Sequence, residues 1–246
     1  MKRPTLVGLA GLCLLALVFE ALVALGAVSP LTLSRPSSMV LAIGDLVREE
    51  SLIRAMLTTF GQTFAAILIA SAVGMPLGFL LYRFRTFGVA YDSWLGALFA
   101  APLILLYPLF LVIFGRTLQM VVFMGVLTGA IPIIIHVRQG LLEVQPIFLN
   151  VARAFNASAA FTFWRVMLPA AVPTVFTGVR LGLVYALVNI IGIEFLIDYG
   201  GLGRLVSEMY FRYDVPGMYA TIVFIILIST TLFWLLARVQ NRLRRL

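Results

Sequence analysis

QPIFLNVARAFNASAAFTFWRVMLPAAVP, residues 145–173, is a polar and aromatic segment that separates two long apolar runs of the chain. The runs on either side have the length and composition of membrane-spanning helices. The segment between them is therefore predicted to lie at the membrane surface, and it is the only sizeable segment on its side. A membrane protein that keeps one structured loop on a surface commonly uses it to bind a soluble partner.

The composition of the whole chain is that of a membrane protein. Of its 246 residues, 62% are hydrophobic and 11% charged, and the mean hydropathy is +1.08. Soluble domains are about 45–50% apolar and about 25% charged. The sequence therefore predicts an all-α, polytopic membrane protein that forms a single domain over residues 1–246. A span needs about 20 apolar residues, and the runs that qualify predict about six transmembrane helices: Leu6–Val28, Met56–Tyr82, Trp94–Phe114, Leu118–His136, Leu168–Ile197 and Tyr219–Val239.

The first apolar run follows Lys2 and Arg3, an arrangement that secretory signal peptides share. Because the run is longer than the usual signal core of about 7–15 residues, we expect it to be retained as a helix. Its removal would leave the other five predicted spans in the same orientation.

The basic residues set the predicted orientation. With the N-terminus inside, eleven Lys and Arg residues lie on the cytoplasmic side and six on the other, which is the positive-inside bias of membrane proteins. The net charge of +8 therefore reflects topology and contact with anionic headgroups, and no nucleic-acid partner is expected. Both termini and the loop at about 145–167 are predicted to be cytoplasmic, and the loop at about 198–217 external, as a short helix or a half-buried loop.

Prolines and small residues interrupt the apolar runs. Pro76 and Pro102 each remove a backbone donor, which predicts either packing kinks or helices that flex during gating. Gly178, Gly182 and Ala186 recur every four residues on the fifth run. This face is predicted to approach another helix closely, either within the domain or across a dimer.

The segment at 145–167 is predicted to be a helix–turn–helix. Pro146 suits the first turn of a helix, and Asn156 suits a left-handed stop. Ser158 is expected to cap a second short helix that runs through Trp164. Apolar residues recur at helical spacing at Ile147, Phe148, Val151, Ala152 and Phe155. Four aromatic side chains are then predicted to bind either a groove on a partner or lipid headgroups: Phe155, Phe161, Phe163 and Trp164.

The segment resembles the EAA loop of ABC-importer permeases, whose pattern is E-A-A, three residues, G, nine residues and I-x-L-P. With Asn156 on the glycine, Val166 falls on the isoleucine and Leu168–Pro169 on the L-P. Asn150 replaces the glutamate, so this loop has no carboxylate at that position to form an ion pair with the ATPase. The resemblance implies an ATPase-coupling loop with these residues: Asn150, Ala152, Arg153, Phe155, Asn156, Ala157, Ser158, Leu168 and Pro169.

The resemblance extends over roughly residues 57–238 and includes PLILLYPLFLVIFG at 102–115 and EFLIDYGGLG at 194–203. These stretches are similar to permeases of the nitrate/sulfonate/taurine type. The resemblance implies a type I ABC-importer permease in the bacterial cytoplasmic membrane. Its partners would be cytoplasmic ABC ATPases, an external substrate-binding protein and a second permease subunit, identical or not. It would carry a small anionic or heteroaromatic solute.

The chain contains no G-x-x-x-x-G-K-[ST] phosphate loop, so ATP hydrolysis is assigned to partners and no cofactor is expected. Its single Cys13 and single His136 predict no metal site. An intramembrane enzyme lacks a nucleophile–base pair or a metal triad here. An ion-gradient-driven secondary carrier is the alternative, but such carriers commonly show inverted repeats and paired charges.

Ionisable and polar residues within apolar runs mark a possible translocation pathway, because charges near mid-bilayer cost about 2.5–3.5 kcal/mol on insertion scales. Arg180 lies beside an aqueous path or extends toward the cytoplasmic face. Glu194 lies beside such a path or binds backbone groups of the external loop. Tyr185 and Asn189 share one helix face and either line a pathway or bridge two helices. Glu20 is expected at the external interface.

Overall fold

The computed structural model describes residues 3–49 and 51–243, and within these ranges it contains helices and no strand. The predicted all-α class is confirmed. The helices are α1 (Arg3–Ala24), α2 (Pro36–Arg48), α3 (Ser51–Arg83), α4 (Arg85–Ala100), α5 (Tyr107–Phe114), α6 (Leu118–Leu142), α7 (Pro146–Ala154), α8 (Ala159–Thr162), α9 (Leu168–Ile197), α10 (Gly201–Phe211) and α11 (Val215–Leu243). A 3₁₀ turn (Leu103–Leu106) precedes α5, and a π turn (Phe163–Met167) precedes α9.

Length and composition identify fewer spans than the six apolar runs predict. A fifth span is present only if the two helices of the bent pair, Arg85–Ala100 and Leu103–Phe114, together form one membrane crossing. The apolar part of the first helix, Ala10–Ala24, is shorter than the other spans. In the described part of the chain, four helices are long and apolar enough to cross a membrane: Ser51–Arg83, Leu118–Leu142, Ala159–Phe211 and Val215–Arg242.

The third predicted span, Trp94–Phe114, is wrong as a single helix. The helix ends at Ala100, and the next helical segment is turned by 86°. Pro102 lacks the N–H that would continue the helix, and its ring disfavours a helical conformation at the residue before it. Ala101 is accordingly extended, with φ −71° and ψ 140°.

The chain divides into two compact units. One contains Met1–Thr58 and Glu194–Ser229, and the other contains Thr59–Ile193 and Thr230–Leu246. The helices α3, α9 and α11 contribute residues to both. A single domain over residues 1–246 remains a prediction.

The first unit is built around α10, which forms from the predicted loop at 198–217. Leu202 and Met209 of α10 pack in one buried cluster with Leu52 of α3 and Ala220 of α11. Glu20 accepts hydrogen bonds from the amide (3.0 Å) and the hydroxyl (2.8 Å) of Ser37. This carboxylate therefore satisfies one of the orphan amide donors in the first turn of α2.

The second unit is built around α6, which packs against α3 and α9. A Cβ added to Gly182 of α9 would lie 2.6 Å from the carbonyl oxygen of Gly129 of α6, and one added to Gly178 would lie 2.6 Å from Cβ of His136. Of the two alternatives for this small-residue face, the structure therefore shows a helix contact within the chain. Glycine permits this approach because it has no side chain.

Candidate functional site

The segment at 145–167, called the coupling loop below, begins with a capped helix. Pro146 occupies the first turn of α7, where its missing donor is not needed. Asn156 has φ +50° and follows the helix end. Its amide donates to the carbonyl of Arg153 (2.9 Å), and the amide of Ala157 donates to the carbonyl of Ala152 (3.0 Å). These two bonds form the Schellman motif that ends α7.

The second half of the coupling loop is continuous with α9. Ser158 accepts a hydrogen bond from the amide of Phe161 (3.2 Å) and so caps α8, as its residue type predicts. The predicted end of this helix at Trp164 is wrong, because the chain passes through the π turn into Leu168 and Pro169 of α9. The chain is therefore helical from Ala159 into α9, with no loop between the two helices.

The inner side of the coupling loop is packed into the core of the second unit. Ala152 is 6% exposed and Met167 is 9% exposed, and Leu149 packs against the same buried cluster. The ring of Phe163 lies 5.1 Å from that of Phe79 of α3. Phe163 is half-buried, so its availability to a partner stays a prediction. Helical periodicity did not identify its contact with α3, because the π turn changes the direction of the side chains that follow.

The outer side of the coupling loop exposes an apolar stripe along α7. At 100° per residue, Ile147, Phe148, Val151 and Phe155 fall within an arc of about 100°. The most exposed of them is Phe155, at 82%. Phe161 and Trp164 extend the exposed apolar surface beyond α7. Contiguous exposed apolar surface of this kind marks an interaction site. We define the apolar stripe as Ile147, Phe148, Val151 and Phe155.

The two polar residues of the motif are paired with each other on the exposed surface of α7. The guanidinium of Arg153 donates to Oδ1 of Asn150 (3.2 Å). An asparagine at this position thus engages the neighbouring basic side chain through a neutral amide, where the motif glutamate would bring a carboxylate.

Tyr185 and Asn189 line one cavity of about 200 Å³ in the second unit. The ring of Phe99, at the end of α4, lies 4.8 Å from that of Tyr185. Thr128 of α6 completes the polar lining, and its hydroxyl donates to the carbonyl of Met124 (3.0 Å). Sequence reasoning missed Thr128 and Phe99, because the break at Pro102 that brings α4 to this cavity has no distinct pattern.

Arg180 and Glu194 have separate partners in the structure. The guanidinium of Arg180 donates to Oε1 of Gln240 (2.7 Å), whose amide donates to the hydroxyl of Thr177 (2.6 Å). Glu194 is fully buried and accepts from the amide of Gly203 (2.9 Å) in the first turn of α10. A carboxylate at this end of a helix is favoured by the helix dipole. Glu194 thus lies against backbone groups, the second of its two predicted environments.

No group of three or more metal-ligating side chains occurs within residues 3–49 and 51–243. The family model for the inner membrane component of binding-protein-dependent transport systems matches residues 70–245. The chain belongs to this family. The predicted resemblance to ABC-importer permeases is confirmed.

Relatives of this permease include transporters of several small solutes. A probable ABC transporter permease of Brucella melitensis is 25% identical over 80% of each chain. The formylaminopyrimidine transport permease of Halalkalibacterium halodurans is 27% identical over 86% of this chain and 84% of its own. The nitrate import permease of Synechocystis is 30% identical over 63% of this chain and 56% of its own.

Solved permease structures share the fold. A structure of the MetNI methionine ABC transporter aligns with a TM-score of 0.67 at 21% identity, covering 78% of this permease and 95% of that chain. A crystal structure of an amino acid ABC transporter aligns with a TM-score of 0.64 at 19% identity, covering 82% and 97%. The type I importer architecture predicted from the sequence is therefore confirmed.

Proposed function

We propose that this permease is the pore subunit of an ATP-driven, binding-protein-dependent importer of a small solute, and that its coupling loop contacts a cytoplasmic ABC ATPase. The observation that carries the proposal is the two-sided construction of the loop. Leu149, Ala152 and Phe163 hold its inner side in the core of the second unit, while the apolar stripe remains exposed. Such a stripe fits an apolar groove on a folded partner.

The path from the coupling loop to the cavity supports mechanical coupling. The π turn joins α8 to α9 without a break, and α9 carries Tyr185 and Asn189. Ala159 and Tyr185 are 26 positions apart, which is about 39 Å at 1.5 Å rise per residue. Closure of the ATPases would move the stripe, and the continuous helix would carry that movement to the cavity.

The remaining partners follow from the family. We propose a second permease subunit, identical or not, and an external binding protein that delivers solute. The membrane is then the bacterial cytoplasmic membrane, with both termini and the coupling loop inside. Relatives are named for nitrate, bicarbonate and formylaminopyrimidine transport, which supports a small anionic or heteroaromatic solute. Hydrolysis of ATP belongs to the partner subunits.

Phe155→Asp tests the coupling loop. Phe155 is 82% exposed, so its replacement removes little packing within this chain. Loss of an aromatic anchor from an interface commonly costs 2 kcal/mol or more, so we expect ATPase affinity to fall about thirtyfold. In vesicles, ATP-dependent uptake should fall while membrane insertion and thermal stability are unchanged. Ala152→Asp is unsuitable, since Ala152 is buried and folding would be affected as well.

Phe87→Asp is the matched control, because Phe87 is an exposed phenylalanine (58%) in the first turn of α4, outside the coupling loop. It should leave ATPase association intact. Normal association of Phe155→Asp, or purification of an active transporter that needs no ATPase, would overturn the proposal. Equal losses in the two variants would show a general effect of added charge and would also count against it.

A further inference from the structure

The cavity beside Tyr185 opens on the surface of the second unit, about half-way along its long apolar helices. Thr128 is the eleventh residue of α6, so it is about 15 Å along that helix at 1.5 Å per residue. The break after α4 supplies the opposite wall through Phe99 and Pro102. Broken helices near the middle of a membrane are where transporters place solute sites, because unwound backbone groups become available there.

One buried hydrogen-bond acceptor at this cavity lacks a donor in the structure. Asn189 is 6% exposed, and its Oδ1 has no hydrogen-bond partner in the structure. A buried acceptor without a donor is destabilising, so this amide oxygen calls for a ligand or water that carries hydrogen atoms on nitrogen or oxygen.

The lining contains no cationic side chain. The polar lining residues are Thr128, Tyr185 and Asn189, and the others are apolar. Arg180, the nearby cation on α9, donates to Gln240 instead. An anion in this cavity would therefore lose its water without gaining a compensating charge, which is strongly unfavourable. A neutral solute with donor groups does not carry this cost.

The size and shape of the cavity indicate a single ring. Its volume is about 200 Å³, and an apolar protein cavity of about 150 Å³ already binds benzene. The rings of Phe99 and Tyr185, with centroids 4.8 Å apart, provide an aromatic wall for it. Aromatic pairs add about 0.5–1.5 kcal/mol beyond the area they bury.

We propose that this cavity binds a neutral, single-ring solute bearing N–H or O–H donors, and that it discriminates against small anions. The proposal rests on the proposed function, since it makes the cavity a solute-binding site on the import pathway. Asn189 accepts a hydrogen bond from the solute, and Phe99 and Tyr185 contact its ring. Of the solute classes that the sequence leaves open, this selects the heteroaromatic over the anionic.

Benzamide and benzoate form a matched pair of probes, because they share a ring and a size but differ in charge and in N–H donors. Both are titrated into the purified transporter complex in lipid nanodiscs without nucleotide, and binding is followed by ligand-observed NMR. Benzamide should bind saturably and at least about tenfold more tightly than benzoate, a difference that one lost hydrogen bond to a buried group produces.

Asn189→Leu removes the acceptor at nearly constant volume and should weaken benzamide about tenfold. Tyr185→Leu, which removes the ring, should also weaken it. Asn241→Leu is the matched control, since Asn241 is exposed on α11 and its loss should leave binding unchanged. A thermal unfolding curve for each variant establishes that it is folded.

The proposal is overturned if benzamide does not bind, if benzoate binds as tightly, or if Asn189→Leu and Tyr185→Leu both retain full affinity. These measurements need no ATP. If the wild-type permease showed neither ATP-dependent uptake nor ATPase association, the proposed function would be refuted, and the binding result would be unaffected. If ATP-dependent uptake were present but benzamide did not bind, only the inference about the cavity would be refuted.

Discussion

Gly182→Ala is expected to destabilise the contact between α6 and α9. The added Cβ would lie 2.6 Å from the carbonyl oxygen of Gly129 and 3.1 Å from Cγ1 of Ile133. The carbonyl oxygen belongs to the backbone of α6, so it cannot rotate away from the added Cβ as a flexible side chain could. A carbon and an oxygen in contact normally lie about 3.3 Å apart, so the helices must separate by about 0.7 Å. Overpacking of this kind costs about 1–3 kcal/mol.

The matched control for this prediction is Gly61→Ala on α3. A Cβ at Gly61 would meet nothing within 4 Å, so the substitution changes only helix propensity. Alanine is favoured over glycine in a helix interior by about 0.5–1 kcal/mol. Because both variants gain this helix propensity, they should differ by the overpacking cost alone, about 1–3 kcal/mol, with Gly182→Ala the less stable.

The assay is equilibrium unfolding of the purified permease in mixed micelles as the mole fraction of a denaturing detergent is raised, followed by circular dichroism. Gly182→Ala should unfold at a lower fraction than wild type, and Gly61→Ala at an equal or higher one. If Gly182→Ala matches Gly61→Ala, the close approach of α6 and α9 is incorrect. The reasoning also fails if Gly182→Ala is as stable as wild type.

Two further predictions concern residues with positive φ. Asn156→Val should weaken the end of α7 by about 1–2 kcal/mol, because a β-branched residue tolerates the left-handed region poorly, whereas Asn156→Gly should be neutral. Amide exchange at Ala157 measures this difference, and equal protection in both variants would contradict the prediction. Gly201→Ala should lower stability more than Gly26→Ala, since both glycines have φ +71° but only the Cβ at Gly201 would overlap Oε1 of Glu194. Equal shifts of the two variants in detergent unfolding would contradict this and show that the carboxylate moves freely.

The positions where the helices of the coupling loop begin and end were predictable from residue chemistry. Proline at a first turn, asparagine at a left-handed stop and serine at a cap each act through their own backbone neighbours. The structure shows Pro146, Asn156 and Ser158 in those positions. The close-packing role of Gly182 was predictable for the same reason, because the absence of a side chain is visible in the sequence.

The effect of each proline was not predictable. Pro76, Pro132 and Pro173 lie inside unbroken helices, whereas Pro102 ends one. Neighbouring helices can satisfy the groups that a proline frees, and which prolines receive that help depends on packing between distant segments. The partner of Arg180 was hidden for a similar reason, since Gln240 is 60 residues away.

The direction of the aromatic side chains in the coupling loop also required the structure. Phe161 and Trp164 are exposed, while Phe163 packs against Phe79. A regular helix would rotate by 100° per residue, but the π turn inserts an extra residue into one turn. The sequence therefore did not show that Phe163, unlike Phe161 and Trp164, contacts the core of its own chain.

The close contact between α6 and α9 lies between the coupling loop and the cavity beside Tyr185 along the chain of α9. Gly182 holds the backbone of α9 against Gly129 of α6, and Tyr185 and Asn189 follow it within two turns. The chain between the loop and this contact is helical throughout, so we expect a push on α8 to reach the contact through helix and not through a loop. Movement of α9 must therefore either carry α6 with it or rupture the glycine contact. Only the first keeps the cavity walls of Thr128 and Asn189 together, so we expect α6 and α9 to move as one body during transport.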